Sequence, residues 1–564
     1  MEKRNISSAL LIIKKTFRDF IPFIIFIFIT LQTLLTFNLT AQPLVTQEWV
    51  RRYSGPINDL YGPFLAVDKQ GNSYIAGTHV VNDTPKVLCV KYNTQGVQQW
   101  ASFYIYPGEA YIRPTGLAID SSGNAYVTSA QGPAYYLPTN GLIVKFNGLN
   151  GSLVWAKRYA GQYSESSFLA IKIDRLNNIY VTGTSDTSHL VIRYNANGDS
   201  VWVRKYHPRP LCGEGAWACT IDDSLNIIFT GLRRFYYPPY GYYDSLLAAK
   251  YSPSGVLKWE SVYAYNYLGA NVGTKIVTDQ NGSSYIGGVT TVSGSGVYLT
   301  LKYNRNGVRQ WVKIYNGPGG DDVLKSIAVD RINNAIFVTG NSQLSGGTTY
   351  GATIKYNASN GDSIWVIRYG MINYISGFND IMLDSSGNSY VTGGSGPYNS
   401  TGDVLTIKYS PQGNQIWSIT YNGPFNGGDG AVALKLDNAN NVYVMGYSFS
   451  SSQMIDYILI KYSQFSGIQT ISQTMPKIYI LNQNFPNPFN PITKIRFSIP
   501  KISYVQLRIY DVLGKIKEVV VNEQLHPSEY ELVVDASNYS SGTYFYQLIA
   551  DGNVIETKKM VLLK

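Results

Sequence analysis

The stretch 384-DSSGNSYVTGGS-395 admits two readings, and the choice between them decides the fold. Asp384, Ser386 and Asn388 offer oxygens at alternate positions beside a glycine, as a truncated calcium loop would. The same residues also suit a tight turn leading into a Tyr-Val-Thr strand. Recurrence separates the two. The turn occurs eight times, with its carboxylate at Asp68, Asp120, Asp174, Asp222, Asp279, Asp330, Asp384 and Asp437. A calcium loop needs further acidic ligands, yet 279-DQNGSS-284 lacks the later Asn, 330-DRINNA-335 lacks the glycine, and no copy closes on a glutamate. We therefore read it as a structural turn: no cofactor is expected and calcium is disfavoured.

Tryptophans recur with the turns, at positions 49, 100, 155, 202, 259, 311, 365 and 417, spaced by 47 to 57 residues. Most open a strand that ends in an aromatic, such as 311-WVKIY-315. Between tryptophans the order is constant: an apolar stretch ending in Asp, the Gly/Asn turn, a Tyr-Val-Thr-Gly-like strand, a variable loop, then a closing strand such as Lys355-Tyr356. Four short strands in about fifty residues is the pattern of a β-propeller blade.

The ends of the array fit together. After Lys461-Tyr462 the expected tryptophan is missing, whereas 48-EWVRRY-53 precedes any complete unit. The N-terminal strand is thus expected to complete the last blade of an all-β, eight-bladed propeller, with seven blades as the alternative. Strand alternation puts every short turn on one face and every variable loop on the other, where binding residues would be sought.

Composition agrees with many short strands: 564 residues, 45% hydrophobic, 15% charged, with 53 Gly and 47 Tyr. The first 41 residues carry a basic start and the apolar run 21-IPFIIFIFITLQTLLTF-37, a secretory signal cleaved after Ala41, and no membrane span is expected in the mature chain. Removing it takes +3 of the formal +10, and the remaining +7 is dispersed without a Lys/Arg block, so nucleic acid is not an expected partner. Cys212 and Cys219 could close a small disulfide loop or remain thiols, and Cys89 reads as a buried thiol.

Residues 42–472 are assigned to the repeats, 473–480 to a linker and 481–564 to a small Ig-like β-sandwich. Units such as 120-DSSGNAYVTS-129 with 145-KFNGLNGSLVW-155 resemble the bacterial beta-propeller repeats of secreted surface proteins. The tail resembles the C-terminal sorting domain of the type IX secretion system. The residues that carry this are Pro486, Asn487, Pro488 and Phe489, Gly514 in 511-DVLGK-515, Gly542 in 542-GTYFYQL-548, and Lys558 and Lys559 in 558-KKMVLLK-564. That resemblance implies passage through the periplasm of a Gram-negative bacterium. The general secretion machinery and then the type IX machinery would be partners, with surface attachment or release at the end.

Catalytic signals are absent from the sequence. His79, His189, His207 and His526 lie in different units without ligand spacing, and no nucleophile elbow or phosphate loop occurs. The recurring Asp and Lys rows are read as turn mechanics, with Asp capping its own turn and Lys neutralising it or reaching outward. The fourth unit breaks the pattern. Its variable loop, 232-LRRFYYPPYGYYDS-245, gathers Arg233, Arg234, Phe235, Tyr236, Tyr237, Tyr240, Tyr242 and Tyr243, and Trp217 lies off the tryptophan register in the same unit. Aromatic faces with arginine bind sugars and peptides at low entropic cost. The second unit's 132-GPAYYLP-138 is a shorter version of the same chemistry. The expected function is a secreted or surface-displayed binding module for a glycan or protein, not an enzyme. An extracellular polysaccharide hydrolase or lyase and a structural surface-layer component are the alternatives.

Overall fold

The structure, a computed structural model, describes residues 45–54, 63–81, 84–109, 111–132, 140–162, 166–206, 215–237, 241–265, 269–344, 348–371, 373–397, 402–451, 454–464, 468–472, 476–536 and 539–564. The signal segment, residues 133–138, His207, Cys212 and Tyr240 lie outside them. No helix occurs among the described residues, and so none is long and apolar enough to cross a membrane.

Residues 64–104, 111–160, 166–206, 215–263, 271–315, 322–369 and 374–421 each contribute four antiparallel strands to one sheet, numbered one to seven here. A single parallel bridge, Thr349 to Ile375, links sheets six and seven. Sheet eight takes three strands from residues 429–464 and its fourth from Val45–Tyr53, which pairs antiparallel with Ile455–Gln464. The first strand of each sheet touches the first strand of the next, and Asp429–Leu436 of sheet eight touches Phe64–Val67 of sheet one. These first strands form a ring around a central lumen.

The Asp turns explain themselves atom by atom. Asp384 Oδ1 accepts the amides of Ser386 and Asn388 at 3.0 and 2.9 Å, and Oδ2 accepts Asn388 Nδ2 and the Tyr390 hydroxyl at 2.8 and 2.9 Å. Gly387 takes φ +79°, which a glycine adopts without a Cβ penalty. The same capping recurs at Asp68 and Asp120. Both carboxylate oxygens are spent on the turn. Asp384→Ala leaves the Ser386 and Asn388 amides and the Asn388 side chain without their acceptor and is expected to cost about 2 kcal/mol in urea unfolding. An unchanged midpoint would refute that role.

The glycine of the Tyr-Val-Thr-Gly strand has a separate cause. In sheet seven the first strand bulges between Phe378 and Asp380, bringing the Gly377 carbonyl to 1.8 Å from where a Cβ on Gly393 would stand. Only glycine fits opposite that bulge.

The Lys row does more than the sequence suggested: some of its members do lie against their turn aspartate, but together with the Trp row it also bonds one sheet further on. Lys355 Nζ and Trp365 Nε1 converge on the Pro411 carbonyl of the next sheet's turn, at 2.8 and 3.1 Å. Lys91 with Trp100 meet Gly148 O in the same way, and Lys302 with Trp311 meet Ala358 O. Some lysines also stay near a turn carboxylate, as Lys408 does at 3.7 Å from Asp384. Burial lowers the pKa of Lys91, Lys302, Lys355 and Lys408 against the pull of those aspartates.

This clamp also joins the two ends. Lys461 and Trp49 both bond Thr94 O of sheet one, at 3.3 and 3.2 Å. Sheet eight has no turn between its third and fourth strands, because the fourth comes from the N-terminal side. There the Gln464 side chain stands in for the missing carbonyl: its Oε1 accepts Lys408 Nζ at 2.8 Å, the Tyr390 hydroxyl at 3.1 Å and Trp417 Nε1 at 3.4 Å. Eight apolar cores fill the gaps between consecutive sheets. The one that joins sheets eight and one contains Trp49, Leu65, Ile75, Leu88, Tyr443, Met445 and Leu459.

The chain leaves sheet eight at Gln464, and Ile468–Ser472 pairs with Ser528–Asp535. Pairing thus places 468–472 with the tail rather than with the repeats. The tail has two four-stranded sheets, and Leu481, Phe497, Leu507, Tyr546 and Leu562 from both share one core.

Candidate functional site

The aromatic segment of the fourth unit is a ribbon, not a loop. Ile227–Tyr237 and Gly241–Tyr251 pair without interruption up to Tyr237 with Gly241. The first strand of this sheet stops pairing at Gly215 with Leu232, and the fourth at Tyr263 with Leu246. Residues 233–237 and 241–245 therefore run past the sheet as a two-stranded arm. Facing aromatic pairs favour extended backbone, and Gly241 takes φ +88° where the chain returns.

Alternation divides the candidate residues between two faces of the arm. On one, the Phe235 and Tyr243 rings stack at 5.2 Å and 12°, and the Arg233 guanidinium lies 4.6 Å from the Phe235 centroid and 3.4 Å from the Tyr206 hydroxyl. On the other, Arg234 bridges Asp244 through two bonds of 2.7 and 3.1 Å, while Tyr236 and Tyr242 sit 5.0 Å apart. Tyr236 and Tyr242 are each 59% exposed, so this second face presents aromatic surface to water beside an occupied arginine. Tyr237 closes the tip through its backbone.

Trp217 belongs to a different element. It sits at a bulge of the first strand of sheet four, Gly215–Ile221, with its Nε1 2.5 Å from where a Cβ on Gly215 would stand. Gly215 pairs with Leu232, so the indole marks the root of the arm rather than its tip. Cys219 on the same strand is a buried free thiol, as is Cys89, and burial raises the pKa of both. His189 is buried, with Nε2 2.8 Å from Leu232 O.

Two features escaped the sequence reading. A polar cavity opens on the short-turn face, lined by Asp222, Asp223, Lys250, Lys258, Trp259 and Arg305 among others. The sixth residue after the turn Asp is Tyr in most units but Ile228 here, and Lys250 falls back onto Asp222 at 2.6 Å. The second feature is charge in the lumen: Lys172, Lys275, Lys325 and Lys435 lie on first strands. The available signal was a lysine inside an otherwise apolar run, as in 433-ALKLD-437.

In the tail, the two ends of the motif meet. Asn487 Oδ1 accepts the Val561 amide, the Phe489 amide donates to Val561 O, and the Leu563 amide donates to Phe489 O, each at 2.9 Å. Phe489 is buried while Pro486, Asn487 and Pro488 stay exposed, with cis bonds before both prolines. Gly514 takes φ +75° in a turn capped by Asp511, Gly542 opens a strand, Lys558 pairs with Glu556 at 2.8 Å, and Lys559 O receives Gln483 Nε2 at 2.7 Å.

Within this ring of sheets, residues 310–343 match the beta-propeller repeat family. Residues 483–563 match the secretion system C-terminal sorting domain. The chain thus carries the type IX sorting domain behind a propeller. No curated protein is similar to it in sequence. Solved structures resemble it at low identity. The quinohemoprotein alcohol dehydrogenase from Comamonas testosteroni is 10% identical with a TM-score of 0.47, over 75% of this chain and 78% of that one. Chaetomium thermophilum Sqt1, bound to the N-terminus of ribosomal protein L10, is 10% identical with a TM-score of 0.46, over 72% and 99%.

Proposed function

We propose that the protein is an exported binding module: an eight-bladed propeller that engages a glycan or protein outside the cell, carried there by its Ig-like sorting sandwich. A signal peptide at 1–41 hands the chain to the general secretion machinery, and the tail hands it to the type IX machinery at the outer membrane. The observation that carries the binding reading is the arm of sheet four, whose Tyr236 and Tyr242 hold exposed aromatic surface on a continuously paired two-stranded ribbon. Binding side chains held in place beforehand lose little entropy on contact.

The test is a triple substitution, Arg234→Ala, Tyr236→Ala and Tyr242→Ala. Because the arm lies outside the inter-sheet cores, the melting temperature should shift by no more than about 2 °C. Retention on a glycan or protein array should fall about tenfold or more, the loss of two aromatic anchors being worth at least 1.4 kcal/mol. Unchanged retention on every captured ligand would remove the arm from the proposal. Hydrolysis of a polysaccharide panel by the purified protein would instead favour an enzyme.

A further inference from the structure

The lumen carries charge that the arm does not explain. Lys172 and Lys435 each stand two residues before their turn aspartate, Lys275 four before Asp279 and Lys325 five before Asp330. They belong to the first strands of sheets three, eight, five and six, which are elements of the ring itself. Lys172 and Lys275 are exposed to water, whereas their neighbours Ile171 and Ile276 are buried.

These side chains share one space. Water reaches Lys275, yet protein surrounds it on the lumen wall, and that partial desolvation lowers its pKa; Asp380 opposes this, and the charges of Lys435, Lys172 and Lys325 lower it further. Sheets five and eight are three positions apart around the ring, their first strands both line the lumen, and between them Asp380 of sheet seven bonds Ser326 of sheet six and Leu434 of sheet eight. Asp380 is the carboxylate whose charge acts on both Lys275 and Lys435. Asp380 already accepts Ser326 Oγ at 2.8 Å and the Leu434 amide at 2.9 Å, and it lies 3.6 Å from Lys435. Among the described residues, the ammonium groups of Lys172, Lys275 and Lys325 have no hydrogen-bonded or ion-paired partner.

Like charges gathered between low-dielectric walls repel one another and focus a positive potential into the space they line. We propose that the lumen binds a compact oxyanion, a phosphate or sulfate group, free or at the end of a larger ligand, with Lys275 and Lys325 as principal donors. Ammonium groups act as point-charge donors that need no fixed fork geometry, so convergent lysines from several strands suit a compact multivalent oxyanion. A multiply charged oxyanion also relieves more repulsion than chloride can. The site is independent of the aromatic arm.

Calorimetric titration of the full mature chain at constant ionic strength in sodium chloride tests this, with inorganic phosphate, sulfate, glucose 6-phosphate and glucose as probes. Saturable binding of phosphate or sulfate, and none of glucose, is expected. Lys275→Met and Lys325→Met should each weaken it about tenfold or more. Both variants should melt higher than the parent without anion, since each removes a repelling charge, which also shows that they fold. Binding of glucose 6-phosphate at least as tight as phosphate identifies an end-group ligand, and binding of inorganic ions alone identifies a free ion. Heat that follows ionic strength without saturating, unchanged affinity in both variants, or a lower melting temperature for both overturns the proposal.

Discussion

Truncation after Gln464 is expected to abolish appearance at the cell surface and in the medium while leaving folded protein in the periplasm. The physical basis is separation of cores. The tail core, including Phe489, Leu507, Leu532 and Met560, contains no residue of the eight inter-sheet cores, so removing it takes no apolar contact from them. The sorting domain, in contrast, is lost whole. Within it Asn487 and Phe489 are hydrogen-bonded to Val561 and Leu563, which ties the two ends of the domain together. Phe489→Ala should give a graded version, costing about 3–5 kcal/mol in tail stability. Cell fractionation with an antibody to the propeller reads both, and truncated protein at the surface would refute the sorting role.

Deletion of Val45–Tyr53 should have the largest effect on folding. It removes the fourth strand of sheet eight and leaves the ladder of Ile455–Gln464 unpaired on one side. Trp49, 8% exposed, leaves the core shared by sheets eight and one, and Lys461 loses its 2.8 Å contact with Glu48. A buried tryptophan alone accounts for about 3–5 kcal/mol. With its strand the loss rivals the whole stability of many domains, about 5–15 kcal/mol. An exposed strand edge also templates association. The deleted chain is therefore expected to elute as aggregate, whereas the parent is compact. A monomeric variant with an unchanged melting temperature would show that this strand does not hold the structure together.

Much of this architecture was legible from local chemistry. Asp, Gly and Asn at fixed offsets specify a turn whose hydrogen bonds stay within six residues, so Asp384 with Tyr390 can be inferred without neighbours. Apolar alternation likewise outlines tail strands such as Ser503–Tyr510 and Gly542–Ala550. The arm was less legible. Pro238 and Pro239 read as a loop, whereas the pairing of Phe235 with Tyr243 and of Tyr236 with Tyr242 extends both strands around them. Trp217 was grouped with these residues by closeness in sequence, yet a bulge on another strand positions it.

By itself, the sequence determined the period, the turn chemistry, the tail motif and the strand left over at the N-terminal side. These depend on interactions within one unit, where spacing along the chain and distance in space coincide. Only the tertiary structure decided what the repeated lysines and tryptophans hold, why Gln464 ends the last unit, and that four lysines face one lumen. Those contacts join residues about fifty apart, as Lys355 and Pro411, or hundreds apart, as Trp49 and Tyr443. No periodicity within a unit encodes them, because they arise only when one sheet is laid against the next.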